Sequence, residues 1–345
     1  MRERAELRFA RRMTALPPRV VRRLAGPPLV IDGQELNPQL QLILRMRAMN
    51  GAIGATADTP ERSRERLLRE TRTFAGLPEV GGPVRDFEID HMPVRHYDPG
   101  VGSGRPLLVF FHGGGHVIGD RDTHDQPCRI LCRHAGVHVL SVEYRKAPEH
   151  PFPAAADDAL AAFAWAQEHA AAVGADPARL AVAGDSAGGN LAAVVAGLAE
   201  PRPAVQLLIY PGLERATRRP SIDLFAEGFF LTEKDINWFF GHYAGEEPAV
   251  DDPRLNPMAH EDLSTLPPTI LVTAGFDPLR DEGEWYADEL RAAGVPVMVR
   301  RFEDLSHGIL NMTGVSPDCY AATVEMAGML RAVLDLAAEV TTASA

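Results

Sequence analysis

The chain of 345 residues holds only three cysteines, an odd number without the spacing of a disulfide framework, which suits a reducing compartment. Nothing in it approaches the ~20 apolar residues of a membrane-spanning helix. A secretory signal would need an unbroken apolar stretch near the start. Here arginines and Pro17-Pro18 interrupt every candidate run, so the expectation is a cytoplasmic protein. Positive charge is scarce too: the formal net charge of −12 excludes a general nucleic-acid binder, whose footprint is a basic patch. No internal repeat and no low-complexity tract is visible.

The acidic balance is uneven. The first 25 residues carry Arg2, Arg4, Arg8, Arg11, Arg12, Arg19, Arg22 and Arg23 against Glu3 and Glu6. This segment reads as a solvated arginine-rich helix packed on the body rather than a lipid contact. Cys128 and Cys132 lie four apart near His124 and His134, yet RILCRHAG reads as a helix whose inner face carries both thiols. No metal is expected there.

What is present is a textural change along the chain. Residues 36–50 and 60–75 have apolar spacing near 3.6 and read as helices, and GLPEVGGP at 76–83 breaks the pattern. VRDFEID and HMPVRHY then form a short antiparallel start. From residue 106, six β-rich apolar runs follow: LLVFF, HVLSVEY, LAVAG, VQLLIY, TILVTA and VMVRRF. Helical patterns separate most of them. Strands that are apolar on both faces and alternate with helices imply an α/β fold with a covered parallel sheet. Sites in such folds lie at the carboxyl ends of the strands. One long interval, near 212–265, departs from the alternation and reads as a helical excursion. There Thr232 and Asp235 have capping-box character, and Phe225, Phe229, Phe230, Trp238, Phe239, Phe240 and Tyr243 offer apolar walls.

LAVAGDSAGGNLAAVV places one serine between a strand and a helix, inside Gly184-Asp185-Ser186-Ala187-Gly188. Ser186 reads either as a helix cap or as the nucleophile of a G-x-S-x-G elbow. Dinucleotide binding fails on the glycine spacing, and a P-loop fails because no lysine follows. VFFHGGGHVIGD offers bare backbone amides at a strand end, as a developing oxyanion requires. Gly113 and Gly114, with Ala187 after the serine, are the expected donors. Of the twelve histidines only His307 lies beyond TILVTA and its loop, and Asp277 follows that same strand. Serine, acid and histidine in this order at strand ends make Ser186, Asp277 and His307 the expected triad. Asp281 and Glu282 are expected to serve the next helix N-terminus, Asp304 stands too near His307 in sequence, and Asp185 reads as a loop-stabilising acceptor.

HGGG at 112–115, YRKAPEHPFPAA at 144–155, GDSAGGN at 184–190, DPLRDEG at 277–283 and SHG at 306–308 together resemble the hormone-sensitive-lipase-like bacterial esterases of the α/β-hydrolases. The resemblance covers roughly residues 80–315. It implies an eight-stranded, mostly parallel sheet with helices on both faces and a helical cap. The corresponding division is a cap segment 1–80, a catalytic domain 81–338 with a cap insertion near 212–265, and a tail 339–345. It further implies a carboxylesterase acting on short- to medium-chain esters, without a cofactor, and leaves a homodimer open. His116, Lys146, Ser306 and Ile309 depart from the usual family residues. His116, Phe225, Phe229 and Ile309 are the expected substrate contacts. Amidase, lactonase or acyltransferase activity on the same triad remains the alternative, and a non-catalytic binding protein on this scaffold is the alternative of another class.

Overall fold

The computed structural model describes residues 16–52, 54–74, 81–214 and 217–344. Arg2, Arg4, Arg8, Arg11 and Arg12, and most of the 76–83 break, lie outside the described residues. The N-terminal part contains helix α1 (Pro18–Ala25), a small hairpin β1 (Val30–Ile31) and β2 (Gln34–Glu35), then α2 (Pro38–Met49) and α3 (Pro60–Phe74). Both longer helices stand where the 3.6-residue periodicity puts them, each opening on proline, whose missing N–H costs nothing in a first turn. Asn37 caps α2 by accepting from Gln39 N at 3.0 Å.

Strands β3 (Val84–Ile89), β4 (Met92–Tyr97) and β5 (Arg105–Phe111) lead into α4 (Asp125–Ala135) and β6 (His138–Val142). The alternation continues with α5 (Ala154–His169), β7 (Ala175–Asp185), α6 (Ala187–Leu198) and β8 (Val205–Ile209). The excursion holds α7 (Pro220–Leu224) and α8 (Glu233–Ala244). The chain then closes with β9 (Thr269–Phe276), α9 (Arg280–Ala292), β10 (Val297–Ser306) and α10 (Pro317–Ser344). Helix α10 therefore runs through the expected tail boundary at 338.

The eight long strands form one sheet in the order β10-β9-β8-β7-β5-β6-β4-β3. The pairs from β10 to β6 are parallel, and β4 and β3 add an antiparallel edge. Side chains alternate across a strand, so β5 feeds two cores at once. Leu107, Val109 and Phe111 pack with α5, α6 and α9, whereas Leu108 and Phe110 pack with α4 and α10 on the other face. Cys128 and Cys132 lie on the inner face of α4, in that second core.

The N-terminal helices and the excursion are tied to the body and to each other. Leu36, Leu40 and Ile43 join the second core directly. Thr232 and Asp235 form the expected capping box at α8. The Asp235 carboxylate does more than cap: it accepts from Ala55 N at 3.0 Å, Thr56 N at 2.9 Å and Thr56 Oγ1 at 2.6 Å, joining α8 to the α2–α3 loop. Among the described residues no helix is long and apolar enough to cross a membrane.

Gly328 sits exposed inside α10, and a Cβ there would meet nothing within 4 Å. Gly328→Ala is expected to raise stability by about 0.5–1 kcal/mol, by relieving the entropy cost of glycine in a helix. A urea midpoint equal to or below wild type would contradict this reading of the helix.

Candidate active site

Ser186 joins β7 to α6 at φ 55° and ψ −118°, a left-handed conformation that a non-glycine residue holds at a cost of about 1–3 kcal/mol. Its N–H donates to Ile209 O at 2.9 Å, and its carbonyl accepts from Asn190 N at 3.1 Å and Gly212 N at 3.2 Å. The flanking glycines are required by contact. A Cβ on Gly184 would stand 2.1 Å from Gly188 O, and one on Gly188 would stand 2.0 Å from Phe111 O. Although Ser186 occupies the cap position of α6, its side chain makes no capping bond. Its Oγ lies 3.0 Å from His307 Nε2. The geometry thus favours the elbow over the helix cap.

His307 and Asp277 follow the ends of adjacent strands, β10 and β9. His307 Nδ1 lies 2.7 Å from Asp277 Oδ2, and the fully buried carboxylate also accepts from Leu279 N at 2.8 Å. With the proton on Nδ1 facing the carboxylate, Nε2 presents its lone pair to the Ser186 hydroxyl. Ser306 locks the two strand ends together by donating from Oγ to Phe276 O at 2.9 Å. Tyr210 packs its ring 4.6 Å from His307 and accepts from Leu310 N. The sequence marks Tyr210 only as the end of a strand.

The competing acids are engaged elsewhere. Asp281 accepts from Ser221 N at 2.8 Å, at the start of α7. Glu282 accepts from Leu213 N and, at 2.9 Å, from Glu214 N. Both sit in the first turn of α9 as expected, but their oxygens hold the chain that leaves β8. Asp304 accepts from Asn37 Nδ2 at 3.1 Å.

The glycine loop corrects one expectation. The Gly113 N–H donates to Asp185 Oδ1 at 2.9 Å, so it is already satisfied and does not face an oxyanion. Asp185 is thereby a loop-stabilising acceptor, as its place beside Ser186 suggests. Gly114 and Gly115 line the cavity beside Ala187, and their N–H groups find no acceptor among the described residues. The loop is fixed from beneath. His112 Nδ1 bonds to Gly113 O at 2.9 Å, its ring stacks 4.3 Å from Tyr144, and Tyr144 OH donates to His112 O at 2.6 Å. Burial holds the His112 pKa well below the ordinary imidazole value.

A cavity of about 230 Å³ opens over Ser186. Ile236, Phe239, Phe240 and Tyr243, spaced as one face of α8, line it together with Leu231, Leu67 and Met312. His116 lines it too, stacked 3.9 Å from the Tyr243 ring. Phe225, Phe229 and Ile309 do not. Phe225 and Phe229 pack edge to face at 5.4 Å and rest on Phe276, in the core beneath the Asp277 loop. Ile309 is fully buried in that same core. These three side chains gain more by filling the space behind the strand ends than by facing the opening. Lys146 lies outside the cavity wall, 3.5 Å from Glu143.

Burial lowers the His116 pKa to about 3, against about 6.5 for an unfolded imidazole. The unfolded chain therefore binds the extra proton throughout that interval. The stabilisation is complete above about pH 6.5 and is lost as pH falls toward 3. His116→Phe is expected to shrink the drop in urea midpoint between pH 7 and 4.5, and an unchanged drop would contradict the assignment.

A family model described as alpha/beta hydrolase fold matches residues 108–311. The carboxylic ester hydrolase LipN of Mycobacterium tuberculosis (strain ATCC 25618 / H37Rv) is 46% identical over 326 residues, covering 90% of this chain and 86% of that protein. An ethyl acetate hydrolase of Pseudomonas putida is 35% identical, over 81% of this chain and 93% of its own. The crystal structure of EstE1, a thermostable carboxylesterase cloned from a metagenomic library, superposes with a TM-score of 0.76 at 37% identity, covering 80% of this chain and 98% of that one. On sequence, fold and site geometry together, the chain belongs to the α/β-hydrolases, in their hormone-sensitive-lipase-like branch.

Proposed function

We propose that the protein is a serine carboxylesterase that hydrolyses short- to medium-chain esters through an acyl-enzyme. The observation that carries this reading is the line Ser186 Oγ–His307 Nε2 at 3.0 Å and His307 Nδ1–Asp277 Oδ2 at 2.7 Å, open to an apolar-walled cavity. His307 accepts the Ser186 proton as Oγ attacks the ester carbonyl. Asp277 holds the imidazole orientation and stabilises the imidazolium that forms. The tetrahedral oxyanion takes hydrogen bonds from the N–H groups of Gly114, Gly115 and Ala187, each such donor being worth about 2.7–4 kcal/mol of barrier. The N-terminus of α6 adds its partial positive charge to the same point. His307 then returns the proton to the departing alkoxide, leaving the acyl group on Ser186. Water, deprotonated by His307, attacks the acyl-enzyme and frees the acid.

Ester rather than amide chemistry is favoured by the relatives, which are named a carboxylic ester hydrolase and an ethyl acetate hydrolase. The cavity's modest volume and apolar wall fit a small acyl chain.

Hydrolysis of p-nitrophenyl esters from acetate to dodecanoate is expected to peak at the short end. Ser186→Ala is expected to lower turnover by on the order of 10⁶, and Asp277→Asn by about 10⁴. Ester turnover that survives in Ser186→Ala would refute the nucleophile. A wild type that cleaves amides or lactones but no simple ester would move the activity to another acyl transfer on the same residues.

A further inference from the structure

Arg64, on α3, uses every guanidinium nitrogen. Nη1 and Nη2 pair with the Glu149 carboxylate, both at 2.7 Å. Nη2 also donates to Ala147 O at 2.9 Å, and Nε donates to Val117 O at 2.8 Å. Val117 belongs to the loop that carries the three glycines. Its carbonyl and the Ile118 N–H are the two ends of one planar peptide unit, pointing in opposite directions. Ile118 N donates to Gly114 O at 2.9 Å, and Val117 N donates to the same oxygen at 3.0 Å. Gly114 C=O in turn shares a peptide plane with the Gly115 N–H. Holding that carbonyl toward residues 117 and 118 points the Gly115 N–H the opposite way.

We propose that Arg64 is a positioning residue for the oxyanion site, acting through two peptide units: guanidinium to Val117 C=O, Ile118 N–H to Gly114 C=O, and Gly115 N–H to the oxyanion. The inference rests on the esterase reading above. The relay does two things. It fixes the direction of the Gly115 N–H before substrate arrives, which is where preorganised donors derive their value. It also places a permanent positive charge at the head of a hydrogen-bonded chain whose dipoles all align, and such chains polarise one another. Glu149 keeps the guanidinium in place, and the strength of their pairing is visible in the Glu149 carboxyl, held down to about 2 by Arg64. Ala147 N donates to His116 O at 2.9 Å, so the residue whose carbonyl Arg64 grips also ties down the other side of the same loop through its N–H.

The test compares wild type with Arg64→Met, Arg64→Lys and Glu149→Gln on p-nitrophenyl butyrate. An aryl trifluoromethyl ketone serves as mimic of the tetrahedral intermediate, and active sites are counted by phosphonate titration. Arg64→Met is expected to lower kcat per titrated site by roughly 10-fold with KM within about threefold, and to weaken ketone inhibition by a similar factor. Arg64→Lys, which keeps a cation and a donor for Val117 O, is expected to recover most of both losses. Glu149→Gln leaves the Val117 bond intact and is expected to lose less than Arg64→Met. A purely structural role would lower the melting temperature and the number of titratable sites while leaving kcat per site and ketone affinity unchanged. That result would overturn the proposal. Should Arg64→Met fail to fold, Arg64→Gln takes its place, and equal per-site kcat and ketone affinity in Arg64→Gln, Arg64→Lys and wild type would overturn it equally. If the wild type neither hydrolyses the ester nor reacts with the phosphonate, the esterase reading itself falls.

Discussion

The approach of α6 to the ends of β5 and β7 is the contact on which the rest of the site depends. At Gly184 and Gly188 the backbones come so near that a single methyl group would lie about 2 Å from a carbonyl oxygen. That closeness forces the chain through φ 55° at Ser186 and lifts its hydroxyl clear of the sheet. The strain is held by backbone bonds to Ile209 in β8, Asn190 in α6 and Gly212 in the loop after β8. The same approach brings Asp185 under the glycine loop, where its carboxylate takes the Gly113 N–H. The Ser186 turn and the glycine loop are therefore one packed unit.

A second unit is DPLRDEG, in which the charged residues brace different parts of the chain. Asp277 serves His307, and Arg280 reaches Gly275 O and pairs with Asp32 in the N-terminal hairpin. Asp281 holds the start of α7, and Glu282 holds the turn after β8. This dense use of charge within seven residues makes sense at a strand end, where unpaired amides of several loops converge and each needs an acceptor.

The N-terminal segment looks, from its helical pattern, like a cover added to a finished domain. Its contacts give it a larger part. Asp32 meets Arg280 beside the acid, Asn37 meets Asp304 beside the histidine, and Arg64 grips the loop that follows the glycines. The loops of Asp277 and His307 and the glycine loop each have a brace from this segment, while Leu36, Leu40 and Ile43 anchor it in the core. The N-terminal segment and the loops around Ser186, Asp277 and His307 share one set of bonds.

Much of this was legible from the chain alone, for a definite physical reason. Ser186, Asp277 and His307 stand where backbone geometry admits few residue types: a turn too tight for side chains, and strand ends in a set order. The sheet was legible because its strands are apolar on both faces, and the capping box because it lies within four residues. Other features depended on the direction a group points, which composition does not encode. Three successive glycines are alike in sequence, and only the Asp185 carboxylate and the turn at Gly114 O decide which amides face the cavity. Phe225 and Phe229 share an aromatic stretch with Phe239 and Tyr243, yet the register of α8 against the body sends the second pair to the pocket and leaves the first pair on Phe276. Ser306, Tyr210 and Arg64 gave no local signal, because their partners lie tens of residues away or more and meet them only in the folded chain. Local backbone requirements are written into the sequence, whereas the direction of an amide or a ring is set by neighbours that only the tertiary structure supplies.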